Sequence, residues 1–240
     1  MSSILIIGGN SDIGYSTAKI FAKNKYDIHL ASRNVEELNI KKEEIIRLFK
    51  VKCKITHLDL LQENSVNSFF EKNIDSPEVI LVACGFLQTN EVDFEKIIGV
   101  NYLSPLKFIE KSIKRYQPQK ILKTIIGISS VAGDRGKKKN SIYSSAKSAF
   151  SFYLDGLRQR LHSNGINVIT VKPGWVKTKM TESINLPKLM IANPNLVGNK
   201  IFKAYKSNKG ILYVPGYWFL IMFFYKMVPE FLFKFFLKKS

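Results

Sequence analysis

Cysteine is nearly absent from this chain: Cys53 and Cys84 are the only two in 240 residues, both in strand-like runs and neither in a metal-ligand spacing. That scarcity excludes a disulfide scaffold and a thiolate zinc site, so no metal is expected, and it suits reduced thiols in a cytosolic protein. Acidic residues are also few, 19 against 37 basic ones, for a net charge of +18. Such an excess suits an anionic membrane surface, a phosphorylated substrate or nucleic acid, although Lys-rich composition is also a general habit of some lineages. No recognisable nucleic-acid-binding motif accompanies the charge, so nucleic acid is not expected as a partner. No Pro/Gly/Ser-rich linker or internal repeat divides the chain, which reads as one domain over 1–240, with 216–240 as a hydrophobic extension. The amino end, MSSILIIGG, lacks a basic segment and a cleavage site and is needed as a strand, so export is not expected.

Apolar, strand-like runs recur at 4–7, 28–31, 54–58, 79–83, 124–128, 167–171 and 211–214. Between most of them lie amphipathic stretches with helical spacing, at 35–49, 65–73, 100–115 and 142–162. Strand-helix alternation at this rhythm requires crossover connections, and hence a parallel sheet covered by helices on both faces. The expected fold is α/β and doubly wound. Ligands of such sheets bind beyond the carboxyl ends of the strands, which makes candidates of residues 8–14, Ser32, Arg33, Asp59, residues 83–85, Ser129, Ser130, Pro173 and Gly174.

The stretch IGGNSDIG lies between the first strand and the first helix. A glycine turn there is the usual phosphate-binding element of a dinucleotide site. Its spacing, Gly8-x-x-x-Asp12-x-Gly14, resembles the TGxxxGxG turn of short-chain dehydrogenases/reductases with one glycine exchanged. Six ordered matches continue the resemblance from Ile4 to about Thr178. Asp59 in HLDL resembles the aspartate at the adenine ring, and VACG at 82–85 resembles NNAG with both asparagines lost. Asn101 in GVNYLSP, Ser130 in ISS, Tyr143 and Lys147 in YSSAK, and PGWVKT in place of PGxVxT complete the series. The resemblance implies a Rossmann domain, a nicotinamide cofactor and a homo-oligomer. Carried over residue by residue, it gives Gly8, Asn10, Ser11, Asp12, Ile13, Gly14, Ser32, Arg33, Asp59, Leu60, Ala83, Gly85, Tyr143, Lys147, Pro173, Gly174, Val176 and Thr178 as cofactor contacts.

A Tyr-x-x-x-Lys spacing proves little by itself, because Tyr15/Lys19, Tyr116/Lys120 and Tyr205/Lys209 share it. A serine thirteen residues upstream removes the last two, where Leu103 and Ala192 stand, and Ser2 precedes the first strand. Only Tyr143 has a serine at a strand's end and a helix to carry the lysine. Residues four apart share a helix face, so Tyr143 and Lys147 point together. A phenol is a poor proton donor or acceptor at pH 7 until a nearby ammonium favours phenolate. The family resemblance then implies that Tyr143 is the general acid in reduction, Ser130 polarises the carbonyl, Lys147 also holds the nicotinamide ribose and Asn101 orders a water relay.

An acid at the end of the second strand would accept ribose hydroxyls and repel a 2′-phosphate. Ser32 stands there instead, and Arg33 can form charge-assisted bonds to phosphate, so NADP(H) is favoured over NAD(H); a merely solvated Arg33 is the alternative. Asp12 is expected to cap the first helix by accepting the N–H of Gly14 or Tyr15. An acid before Ile-Gly in this turn is similar to the decaprenylphosphoryl-2-keto-pentose reductases, which complete the epimerisation of a lipid-linked ribose and imply a separate flavin oxidase that makes the keto intermediate.

After Pro215 comes GYWFLIMFFYKMVPEFLFKFFLKKS. Lys226, Pro229, Glu230 and Lys234 interrupt it, so a broken pair of interfacial helices over 217–240 fits better than a span. Trp218, Phe219, Phe223, Phe224, Phe231, Phe235 and Phe236 would enter the acyl region, with Lys226, Lys234, Lys238 and Lys239 at the headgroups. The alternative is a helix covering the pocket or a dimer seam. Between Ser130 and Tyr143, Arg135, Lys137, Lys138 and Lys139 form a basic loop that could meet a phosphodiester or simply be solvated. The expected activity is NADPH-dependent reduction of a polyprenyl-phosphate-linked keto-sugar in cell-wall or surface-glycan synthesis, at the cytoplasmic face of the membrane. Alternatives are a soluble reductase of a small ketone or acyl thioester, and a non-catalytic nucleotide sensor at the membrane.

Overall fold

In the computed structural model, which describes residues 2–73, 75–87, 93–136, 138–182 and 190–231, all seven expected strands form one parallel sheet. They are β1 (Ser3–Ile7), β2 (Asp27–Ser32), β3 (Cys53–His57), β4 (Val79–Val82), β5 (Thr124–Ile128), β6 (Asn167–Pro173) and β7 (Ile211–Val214). The order is β3-β2-β1-β4-β5-β6-β7. The chain therefore winds outward one way from β1 and the other way from β4, and the crevice between these two strands is where such a sheet binds ligands. Central strands are apolar on both faces, as burial on both sides demands: Val79 to Val82 and Ile4 to Ile7 are essentially inaccessible.

One face carries α1 (Asp12–Lys23), α2 (Val35–Phe49) and α7 (Pro194–Lys206), whose apolar stripes supply Phe21, Leu38, Ile45 and Ile201 to one core cluster. The other carries α3 (Glu63–Lys72), α5 (Ser104–Tyr116) and α6 (Ser141–Leu161), which contribute Phe69, Phe108, Ile109, Phe150 and Leu154 to a second. A last helix, α8 (Trp218–Met227), follows β7 and lies against the turn after β5.

The helix expected over 100–115 is divided. A short α4 (Phe94–Ile98) runs into a wide π turn at Gly99–Leu103 before α5 resumes. Two local causes are visible. Pro105 has no N–H to offer the carbonyl of Asn101, and the Asn101 side chain itself donates to the carbonyl of Ile97, at 2.8 Å. The amide of Ser104 reaches back to Gly99 instead.

Candidate functional site

The phosphate-side turn is shaped by Gly8, whose φ of +86° is open to glycine at little cost. A Cβ there would also strike the carbonyl oxygen of Ala83 at 2.8 Å, so the turn lies directly on the end of β4. Gly8 and Gly9 donate to Ala31 at the end of β2, at 2.9 and 3.1 Å. Gly14 lies beneath the turn, where a Cβ would meet the Gly8 oxygen at 2.5 Å.

Asp12 does not cap its helix as the sequence leads one to expect. Ser11 does: its Oγ accepts from Gly14 N at 3.0 Å and donates to Gly8 O at 2.8 Å. Asp12 is instead the first helical residue, one step too far along to reach back to those amides, and its Oδ2 accepts the backbone N–H of Lys179 at 2.9 Å. Its helical backbone needs no glycine. The N–H groups of Asp12 and Ile13 have no acceptor among the described residues, and both residues line the groove. Free amides at a helix N-terminus are the ordinary means of holding a dinucleotide's phosphates.

Two adjoining cavities follow from this turn. One, of about 280 Å³, is bounded by Gly8, Ser32, Arg33, Asp59, Leu60 and Ala83. Arg33 is exposed and makes no ion pair among the described residues. Asp59 folds its carboxylate onto Leu61 N, at 3.0 Å, fixing the bend after β3. The second, of about 410 Å³, shares Asn10, Ser11, Arg33, Ala83 and Gly85 with the first and runs on to Ser130, Tyr143, Lys147, Pro173, Gly174, Val176 and Thr178. Together they form one groove across the strand ends, bounded by many of the residues that the motifs single out and with room for a dinucleotide.

Beyond β5 the backbone turns at 131–134, and Ser130 Oγ accepts the N–H of Ala132 at 3.1 Å. Its own O–H remains a donor, and its neighbour in the ligand-free protein is the Tyr143 phenol. Gly133 presses this turn onto α6: a Cβ on it would lie 2.7 Å from the carbonyl carbon of Lys147. Ser129 Oγ donates to Lys147 O at 3.0 Å and so locks the same helical turn to the sheet. Lys147 is fully buried, and its Nζ donates to Ile128 O at 3.0 Å and Cys84 O at 3.3 Å, lying 5.9 Å from the centre of the Tyr143 ring. Burial lowers the ammonium to about 8, with the nearby Cys84 thiol pulling the other way. Burial raises the Tyr143 phenol to about 12, opposed by the Ser130 hydroxyl. The ligand-free phenol is therefore a held proton rather than a phenolate.

Asn101 sits apart from the cavity, buried in the π turn. Its Nδ2 donates to Phe86 O at 2.6 Å and to Ile97 O at 2.8 Å, and its Oδ1 accepts from Phe86 N at 3.2 Å. It clamps the strand exit that carries Cys84 and Gly85. A Cβ on Gly85 would fall 3.6 Å from Asn101 Oδ1 and 3.9 Å from Lys147 Nζ, so the missing side chain leaves these two groups facing a common space.

Several wall residues were not read from the motifs. Phe86, Lys96 and Val100 bound the first cavity, and Lys179 and Met180 bound the second. Lys96 and Val100 are four apart just before Asn101, which would have placed them on one helix face. Nothing local marks Phe86 or Met180.

The basic loop departs from expectation at Arg135. Its Nη1 donates to the carbonyls of Tyr225, at 2.5 Å, and Val228, at 2.9 Å, so it closes the C-terminus of α8 and is not available to a phosphodiester. Lys138 is exposed, whereas Lys137 and the side chain of Lys139 lie outside the described residues. Asp134 is likewise taken, by Lys172 and by the hydroxyl of Tyr213 at 2.7 Å. Trp218 also departs from its expected lipid-facing position. It is 4% exposed and rests so closely on Gly174 that a Cβ there would overlap its indole, with Val131 and Met222 packed beside it. The opposite face of α8 is open, with Phe219, Leu220, Phe223, Phe224 and Met227 exposed and Phe231 following at 71%. Among the described residues no helix is long and apolar enough to cross a membrane. Lys234, Phe235, Phe236, Lys238 and Lys239 lie outside them.

The profile of the short chain dehydrogenase family matches residues 2–188. Among curated relatives, 3-oxoacyl-[acyl-carrier-protein] reductase FabG of Aquifex aeolicus is 26% identical over 186 residues, 74% of this chain and 75% of the relative. Carbonyl reductase family member 4 of Xenopus laevis is 24% identical over 188 residues, 75% of this chain and 77% of the relative. The fold is also that of a short-chain dehydrogenase from Sphingobium yanoikuyae solved with NADPH, at a TM-score of 0.83 and 20% identity over 90% of this chain and 89% of that one. With the Ser-Tyr-Lys set in a groove across the strand ends and a family match across most of the chain, the protein belongs to the short-chain dehydrogenases, oxidoreductases that interconvert CH–OH and C=O groups.

Proposed function

We propose that the protein is an NADPH-dependent ketoreductase whose substrate is a keto-sugar carried on polyprenyl phosphate, approached from a membrane surface. The observation that carries this reading is the position of α8. One face packs beside Ser130 through Val131, while the other leaves a run of phenylalanines exposed. In a chain of net charge +18, that face fits the interface of an anionic bilayer. The exposed Arg33, with no acid at Ser32, supports NADP(H) over NAD(H).

The free amides at the start of α1 would hold the phosphates of NADPH, whose chemistry there would be to supply a hydride for the carbonyl carbon. The Ser130 hydroxyl donates to the carbonyl oxygen and fixes its direction. Tyr143 gives its phenolic proton to that oxygen, and the Lys147 ammonium beside it favours the phenolate left behind. Asn101 acts by holding the Phe86 backbone, which keeps the space between Gly85 and Lys147 open. The keto substrate calls for an oxidase of the corresponding alcohol, a flavin enzyme, as the preceding step. A second copy packed along α5 and α6 would cover Phe152, which is 84% exposed.

A second reading, reduction of a 3-oxoacyl thioester, is favoured by the relatives of that activity, with α8 then serving as a lid. NADPH oxidation with the polyprenyl-phosphate 2-keto-pentose, the free keto-sugar and a 3-oxoacyl thioester separates the two. Turnover confined to the lipid-linked substrate supports the first reading and turnover of the thioester the second. Tyr143→Phe is expected to lower kcat by about 10³-fold with NADPH affinity nearly unchanged; retained turnover would remove the mechanism. Flotation of the protein with anionic vesicles, and not with neutral ones, tests the membrane face.

A further inference from the structure

We propose that Asp12 and Lys179 form a latch that retains the cofactor, so that the turn at 178–181 must let go of α1 before the dinucleotide leaves. Asp12 occupies the place of a glycine in the family turn, and a glycine has nothing to tie. Here the carboxylate reaches across to a residue 167 positions away and accepts its backbone N–H at 2.9 Å. The Lys179 side chain adds a second tie, Nζ to Glu37 Oε1 at 3.1 Å, on the first turn of α2. Glu37 is held in turn by Lys41 at 2.9 Å, and Lys41 Nζ also donates to Asn10 O at 2.9 Å, within the phosphate turn. Lys41 and Lys179 both draw the Glu37 carboxyl below its usual range.

The other side of the loop rests on the opposite wall. Met180 Cε lies 3.2 Å from the position a Cβ would take on Gly85, at the exit of β4. Within the loop, Thr181 Oγ1 donates to Val176 O at 2.6 Å, and the Thr178 N–H donates to Thr181 Oγ1 at 3.1 Å, so residues 178–181 form a compact turn. The turn therefore bridges the second cavity, from Asp12 and Glu37 on one bank to Gly85 on the other. A dinucleotide running from the free amides of α1 toward Lys147 passes along that same cavity. The Asp12 Oδ2 is turned to the Lys179 amide, and the Lys179 ammonium partly offsets its charge. The inference rests on the groove being the nicotinamide-nucleotide site.

The test measures NADPH dissociation by stopped-flow fluorescence from the wild type, Asp12→Ala and Asp12→Asn, with thermal midpoints and hydrogen exchange of the Lys179 amide in the ligand-free proteins. Asp12→Ala is expected to release NADPH about 10-fold faster and to speed Lys179 exchange by about the same factor, the loss of one charge-assisted bond at a half-exposed site. Asp12→Asn keeps an acceptor oxygen and should restore most of both, with thermal midpoints alike. Release that is unchanged or slower in Asp12→Ala overturns the proposal, as does Lys179 exchange that does not respond. Failure of the wild type to bind NADPH overturns it together with the reading of the groove, whereas faster Lys179 exchange without altered release in a protein that does bind NADPH overturns the latch alone.

Discussion

Along the half of the groove that Arg33 borders, the wall is mostly strand ends and turns: the turn after β1, the step from Ser32 to Arg33, the bend at Asp59 and the exit of β4. Behind the outer half, where Ser130 and Gly174 face the cavity, the support is a cluster of side chains from separate segments: Val131, Trp175, Tyr213, Trp218 and Met222. The first half is specified by short-range rules, since glycine at positive φ, a helix N-terminus and a strand end act within a few residues. The second depends on which distant segments meet, and each could be exchanged for another side chain of similar volume. A change of an exposed side chain in the first, such as Arg33, should therefore alter cofactor handling with little effect on stability, and a change in the second should do the reverse.

The largest effect expected is at the junction of the halves. Lys147→Met should lower kcat/KM by about 10³-fold, measured as NADPH oxidation at saturating cofactor, because both the charge beside Tyr143 and the tie to Ile128 and Cys84 disappear. Trp218→Ala removes a buried indole from the cluster behind Gly174 and should cost about 3–5 kcal/mol in chemical denaturation, with NADPH affinity preserved. If stability holds and cofactor binding falls, the division into halves is wrong. Arg33→Glu should weaken NADPH by about 10-fold and leave NADH and the thermal midpoint unchanged, since the guanidinium is exposed and unpaired among the described residues. Parallel loss of both cofactors would assign Arg33 to the pyrophosphate instead.

The smallest effect is in pH dependence. Reduction needs the neutral phenol, present up to about 12, and the charged ammonium, present below about 8. The rate should be level below pH 8 and decline above it. Stability runs the other way over the next interval: between about 8 and 10.5 the unfolded chain binds the Lys147 proton that the folded one has released, so this group favours folding more as pH rises. A reduction rate that climbs through pH 9 would contradict the assignment.

The sheet was legible because buried parallel strands are apolar on both faces, and all seven strand-like runs mark real strands. Ser130, Tyr143 and Lys147 were legible because a strand end and a helix carry them at fixed spacing. Asp12 was misread because its partner is remote: a cap acts within its own turn, whereas the Lys179 amide arrives from the far side of the sheet. Arg135 looked like a free cation in a lysine-rich loop, and only the fold shows that the end of α8 stops beside it with carbonyls to fill. The same holds for Trp218, whose aromatic neighbours in sequence face outward while it faces in.

The π turn at Gly99–Leu103 works as a change of reading frame within what is otherwise continuous helix. One extra residue per turn rotates everything downstream by roughly a third of a revolution. Lys96 upstream and Val100 within the turn face the first cavity, while Phe108, Ile109 and Ser112 downstream face the core. A straight helix could present its stripe to only one of these neighbours. Removing one residue from 99–103 would restore the ordinary helical phase while Pro105 still withheld its N–H, and the phase that ties Asn101 to the Phe86 backbone and the phase that packs α5 would again be the same.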